Sequence, residues 1–286
     1  MAFIRRGIHF GSYGSVDDGA AVFGRLTEQA RAAEEAGFDS ISVPDHVHQN
    51  QIGGGPAAPM FEAYTVLGAL ASVTSSAWLY SLVSPVTMRA PGLLAKAVTT
   101  VDVISGGRAA LGVGAGWDVA EHEAYGIDFP GLGERFDRLD EELAICRAMF
   151  RDERATFTGK FYAVRDAYNS PRPVGGSIPV LVAGGGEKRT LDLVARYADA
   201  CNVFAGDPAE VRRKFDVLDG HCERAGRDPA EITRTVFAVD IADLGALETS
   251  ARAYAAAGAN GIIVIGPASP DAIGPLGRVI GEVFPG

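Results

Sequence analysis

The sequence predicts a (β/α)8 barrel with an insertion around residues 151–178. Three observations carry that expectation. Short β-type runs alternate with helical patterns from one end of the 286-residue chain to the other, the pattern of a parallel sheet with crossover helices. Eight such pairs can be read, and right-handed crossovers make their closure natural. The polar, glycine-rich and aromatic positions then fall at the C-terminal ends of the strand-like runs, where a barrel keeps its ligands. A doubly wound open sheet is the rival arrangement.

The elements follow in order. "GIHF" (7–10) is the first strand, and "FGRLTEQARAAEEAG" is a helix stopped by Gly37 at its C′ position. "DSISVPDH" (39–46) is a second strand with a polar tip. "AYTVLGALASVT" is helical, and "WLYSLVSPV" (78–86) is the third strand. "LLAKAVTTVDVIS" returns as a helix closed by Gly106 and Gly107, and "RAALGVGAG" is the fourth strand. In "RFDRLDEELAICRAMF" (135–150) the apolar residues Phe136, Leu139, Leu143, Ile145 and Met149 mark an amphipathic helix.

Residues 151–178 break this rhythm, with strand-like pieces around Thr156–Phe157 and Phe161–Val164. "IPVLVAG" (178–184) is the fifth strand, "EKRTLDLVARYA" a helix and "DACNVF" the sixth strand. The next helix opens with Asp207 as N-cap and Pro208 at N1. "ITRTVFAVD", a helix over "LGALETSARAYAAAG", "ANGIIVIG" and a terminal helix complete one domain spanning 1–286.

Composition narrows the partners. A net charge of −10 argues against nucleic acid, whose phosphates need concentrated Lys and Arg. "MAFIRRGIHFGSYG" holds no apolar run of signal-peptide or membrane-span length. Three cysteines, widely spaced and without C-x-x-C, suggest neither a disulfide framework nor a zinc cluster. A reduced, cytoplasmic protein acting on a small molecule is expected.

Three stretches carry chemistry. "AGGGEKRTLDL" leads three glycines into a helix start beside Lys188 and Arg189, a natural phosphate seat or, failing that, a plain tight turn. "VPDHVH" sets Asp45, His46 and His48 at a strand end, which suits proton handling or cofactor contact. A metal site there needs further ligands, for which His9 is the plausible extra one, and no metal is expected. The third stretch, "LGVGAGW", spaces its glycines as G-x-G-x-G, which differs from the dinucleotide fingerprint.

The string "SLVSPVTMRAPGLLAKAVTTVDVISGGRAALGVGAGWDVAEHEAYGIDFPGLGERFDRLDEEL", with "GFDSISVPDH" before it and "PVLVAGGGEKRTLDLVARYADACN" after it, resembles the luciferase-like monooxygenase superfamily. More narrowly it is similar to actinobacterial oxidoreductases that use coenzyme F420; the alternatives are an FMN-dependent monooxygenase or reductase and a non-catalytic F420-binding protein. The resemblance implies that Asp45 and His46 contact the deazaflavin. It implies a non-prolyl cis peptide at Ser81–Leu82 behind the ring, with Leu82, Val83, Ser84, Ala115 and Gly116 as further contacts. Gly184, Gly185, Gly186, Arg189 and Thr190 match its phosphate end. Gly112, Gly114 and Gly116 would let the fourth strand approach a flat ring closely, while Phe10 and Trp117 face the substrate. Where the family's sugar-phosphate dehydrogenases carry an acid–base glutamate after the glycines, this chain has Trp117. That leaves His46 as the proton donor and favours reduction of a conjugated alkene, imine or carbonyl over alcohol oxidation. A homodimer is the assembly the resemblance implies.

Overall fold

A computed structural model describes residues 3–14, 19–51, 53–239 and 241–285. The chain runs β1 (Arg6–His9), α1 (Gly19–Glu35), β2 (Ser40–Val43), α2 (Ala63–Ala71), β3 (Trp78–Ser81), β4 (Ser84–Pro85) and α3 (Pro91–Ser105). It continues through β5 (Leu111–Gly114), α4 (Val119–Tyr125), α5 (Leu132–Arg151), β6 (Arg154–Thr158) and β7 (Ala163–Tyr168). The last part holds β8 (Val180–Ala183), α6 (Thr190–Tyr197), β9 (Ala200–Phe204), α7 (Pro208–Ala225), β10 (Thr233–Ala238), α8 (Leu244–Ala256), β11 (Gly261–Ile265) and α9 (Ile273–Val283).

Nine of these strands form one sheet in the order β3-β2-β1-β11-β10-β9-β8-β5-β4. Its two ends are pieces of one stave, because β4 resumes two residues after β3 stops. Leu79 N donates to Arg108 O at 2.7 Å and Ala110 N to Leu79 O at 3.0 Å, which joins β3 to the approach of β5. The result is an eight-staved parallel barrel, as the alternation of the sequence predicts.

Side-chain alternation divides the core. In β11, Ile262 and Val264 pack outward with the helices, while Ile263 joins Tyr80, Leu181, Ala200 and Phe3 inside the barrel. That inner cluster is bordered by Leu82, Val83, Ala183 and Phe237, half-buried at the upper mouth. The capping signals hold: Asp207 accepts from Ala209 N at 2.9 Å with Pro208 beside it, and Gly106 ends α3 in the left-handed region. The insertion is the antiparallel hairpin β6–β7, fastened to α5 by Glu141, which accepts from the backbone of Lys160, Phe161 and Tyr162. No helix among the described residues is long and apolar enough to cross a membrane.

Two sequence expectations need correction, and one helix adds to them. The non-prolyl cis peptide lies at Leu82–Val83, one bond beyond Ser81–Leu82. Glu187, Lys188 and Arg189 form a turn, and α6 begins only at Thr190. The polar run after Trp117 contains a further helix, α4, with Asp118 as its N-cap accepting from Glu121 N at 3.2 Å.

Candidate active site

The upper end of the barrel holds a cavity of about 450 Å³. Leu82, Val83 and Pro85 from the broken stave form one wall, and Gly114, Ala115 and Gly116 at the end of β5 form the next. Ala183, Gly184 and Thr190 close it on the β8 side, with Phe136, Phe204 and Phe237 completing an apolar lining. The glycines have separate uses. A Cβ at Gly112 would lie 1.9 Å from the Ser81 carbonyl oxygen, so there the backbone of the neighbouring stave occupies the room. Gly184 holds φ +127°, a conformation that L side chains avoid, as the chain turns out of β8.

His46 is the titratable centre of this cavity. Its Nδ1–H donates to Glu121 Oε2 at 2.8 Å, and Glu121 Oε1 accepts from the backbone N–H of Val47. Glu121 is fully buried, whereas His46 keeps a fraction of its ring at the cavity surface. Nε2 has no protein partner among the described residues. Burial alone would depress the His46 pKa. The hydrogen bond and charge of Glu121, with Asp118 and Asp45 farther off, outweigh it and raise the pKa above its ordinary value. For Glu121 burial pulls upward, but the His46 bond and charge and the Val47 and His48 amides win, holding it below the usual carboxylate range. The two shifts agree on an imidazolium–carboxylate pair.

His46, Asp118 and Glu121 bring one potential ligand atom each within 4.8 Å of one another. The Nδ1 proton joins His46 to the Glu121 carboxylate, whereas Asp118 meets Glu121 only through the Glu121 backbone N–H. His9, the extra ligand considered from sequence, is fully enclosed. Burial and then the nearby His46 charge push its pKa down to about 3, and its Nδ1 sits 3.0 Å from Ser42 Oγ. His48 turns away to the carbonyl of Gln49 at 3.0 Å.

The other sequence candidates divide. Leu82, Val83, Ala115, Gly116, Trp117, Gly184 and Thr190 line the cavity with His46. Asp45 and Ser84 stand behind its wall: Ser84 Oγ donates to Asp45 Oδ2 at 2.6 Å, Tyr64 OH donates to Ser84 Oγ at 2.8 Å, and Arg89 clasps both Asp45 oxygens. Glu142 is buried behind them, and burial followed by the Asp45 charge pushes its pKa up to about 8. It is therefore protonated at neutral pH, leaving Asp45 and the exposed Glu62 to neutralise Arg89. Ser81 is fully buried, and Phe10, at 2% exposure, lies in the outer core away from the cavity.

Gly185, Gly186 and Arg189 line a second hollow of about 550 Å³ that shares Phe136 with the first. Lys188, Arg213 and Lys214 edge it. Arg189 donates to Asp137 and to Gly133 O, Arg213 pairs with Glu187, and Lys214 with Glu210 at 2.8 Å. An apolar chamber therefore runs into a cationic groove, which suits a ligand with a flat apolar head and an anionic tail.

Sequence reasoning missed Glu121, Asp118, Phe204 and Phe237. The Asp118-x-x-Glu121 spacing is a helix-start signal and would have revealed α4. Nothing local announces that Glu121 reaches back 75 residues to His46.

A sequence model of the family described as "Luciferase-like monooxygenase" matches residues 5–273. A curated relative from Microbacterium testaceum, an F420-dependent glucose-6-phosphate dehydrogenase, is 32% identical over 198 residues. The match covers 68% of this chain and 57% of that protein, so the chain corresponds to little more than half the relative's length. Among solved structures, an F420-dependent secondary alcohol dehydrogenase superposes with a TM-score of 0.80 at 20% identity, covering 98% of this chain and 99% of the other. A coenzyme F420-dependent tetrahydromethanopterin reductase from Methanopyrus kandleri gives 0.81 at 18% identity, covering 99% and 100%. At such identities the structural likeness bears on the fold alone.

Proposed function

Because the chain belongs to the luciferase-like monooxygenase family, we propose that it is an oxidoreductase using coenzyme F420 to reduce a small organic substrate. The observation that carries the reading is the two-part site, an apolar chamber with His46 on its wall opening into a cationic groove. The F420-dependent activity of its curated relative favours this cofactor over FMN.

The residues fit the group. Leu82, Val83 and Ala115 offer an apolar wall for a flat ring, continued by Ala183 and Gly184 at the end of the adjoining β8. The amides of Gly185 and Gly186, with Lys188, Arg189 and Lys214, suit the phosphate end. Bound there, the deazaflavin would supply the hydride transfer. His46 holds a proton at Nε2 for the reduced substrate, and Glu121 fixes the ring through Nδ1. Trp117 stands edge to face against His46, with centroids 5.7 Å apart. The chain is further proposed to pair with a second copy through the α2–α3 face, where Leu93 and Ile104 remain exposed.

Titration of the purified protein with F420 and FMN side by side tests the assignment. F420 should bind and FMN should bind much more weakly. Arg189→Ala should weaken F420 binding by about 1–2 kcal/mol, since the arginine is partly exposed and already shares Asp137. Equal affinity for FMN, or an Arg189→Ala variant with unchanged F420 affinity, would count against it.

A further inference from the structure

We propose that the substrate is a flat, conjugated molecule carrying no negative charge, and that phosphorylated or carboxylated compounds are rejected. This rests on the cofactor reading above, in which the groove takes the anionic tail and the chamber mouth receives the substrate. None of the chain's 26 Lys and Arg residues lines the chamber. Among the described residues its charged groups are the His46–Glu121 pair, which neutralises itself, and Asp118, which leaves an excess of negative charge. The neighbouring cations belong to the groove, where Arg189, Arg213 and Lys214 already face carboxylates. A phosphate at the mouth would meet Asp118 with no cation to offset it.

The shape of the mouth agrees. Trp117, 62% exposed, and Phe204, 66% exposed, both line the chamber and present their rings at its mouth. Phe204 packs on Phe237 with centroids 5.9 Å apart, as Trp117 does on His46. Phe204 ends β9 and His46 follows β2, four staves apart in a ring of eight, so the two aromatic pairs flank the opening from different sides. The proposed planar substrate would lie between these rings, in a chamber whose lining is mainly apolar.

The chemistry balances for such a substrate. As a hydride reaches its electrophilic carbon, the C=C or C=N π bond opens and the electron pair moves to the far atom. That atom takes the Nε2 proton of His46, which is replaced from water. The two electrons come from the reduced deazaflavin. An uncharged substrate thus gathers one negative charge in the chamber, whereas an anionic one would gather two, beside the same His46–Glu121 pair and the same Asp118.

Calorimetry on the F420-loaded protein tests this with three probes: cyclohex-2-en-1-one, the same ring bearing a carboxylate, and glucose 6-phosphate. Turnover is measured in parallel, with reduced F420 for the two ring probes and with oxidised F420 for glucose 6-phosphate, which could only give up a hydride. The enone should bind at least about tenfold more tightly than its carboxylate analogue, and glucose 6-phosphate should neither bind nor turn over. Asp118→Asn, which keeps the helix cap, should narrow the enone-to-carboxylate ratio several-fold. Equal or tighter binding of the carboxylate, turnover of glucose 6-phosphate, or a ratio unmoved by Asp118→Asn would overturn the inference while leaving the cofactor reading intact. Failure of F420 to load would overturn both.

Discussion

His46→Ala is expected to lower turnover by about 100-fold or more while leaving F420 affinity within about threefold of the parent. Reduction of a C=C, C=N or C=O bond leaves an anion that needs one proton. Trp117 cannot supply it, because an indole N–H is not acidic near neutral pH. Glu121 is fully buried, deprotonated and occupied by His46 and the Val47 amide. Asp118 is spent on the first turn of α4. His46 alone combines a raised pKa, a surface on the chamber and a ring nitrogen without a protein partner among the described residues. The check is steady-state kinetics beside a cofactor titration of the same variant. Parallel loss of affinity and activity would make His46 a binding residue only, with solvent as the proton source.

Gly112→Ala should destabilise the fold by about 3 kcal/mol or more, beyond the usual cost of overpacking. The new Cβ would meet the Ser81 carbonyl oxygen at 1.9 Å and the ring of Tyr80 at 3.4 Å. Both belong to the adjoining stave, which cannot retreat without parting β3 from β2. Gly24→Ala is the matched control: it lies in α1 with nothing within 4 Å of the new methyl, and should gain about 0.5–1 kcal/mol. Denaturant unfolding of the two variants reads the difference. A Gly112→Ala protein with the parent's midpoint would show that the staves are not pressed together at this point.

The barrel was legible because its signals are local and repeated. Each stave is a short apolar run, and helix ends such as Gly37, Gly106 and Asp207–Pro208 are written in the chain. What escaped was set by contacts between distant segments. The non-prolyl cis peptide that the resemblance implies at Ser81–Leu82 lies one bond later, at Leu82–Val83, a shift that no residue pattern in the chain marks. Asp45 and His46 are neighbours in sequence, yet Arg89 draws one behind the wall while Glu121 holds the other on it. No spacing rule foretells that separation. Phe204 and Phe237 read as ordinary strand residues until adjacent staves bring their rings together at the mouth.

The coupling of His46 to Glu121 also fixes a pH dependence. His46 titrates above its ordinary value of 6.5 in the folded protein, so its stabilising contribution is complete below that value and fades as pH rises through the raised pKa. Glu121 titrates below its ordinary value of 4.5, so its contribution is complete above that value and fades as pH falls through the lowered pKa. An NMR titration of the His46 ring in the parent and in Glu121→Gln therefore tests directly whether the two residues form one acid, with no need of a substrate. The expected result is a His46 pKa above 6.5 in the parent that falls when the glutamate is neutralised. A His46 that titrates at or below 6.5 in the parent, or that is unmoved by Glu121→Gln, would contradict the account.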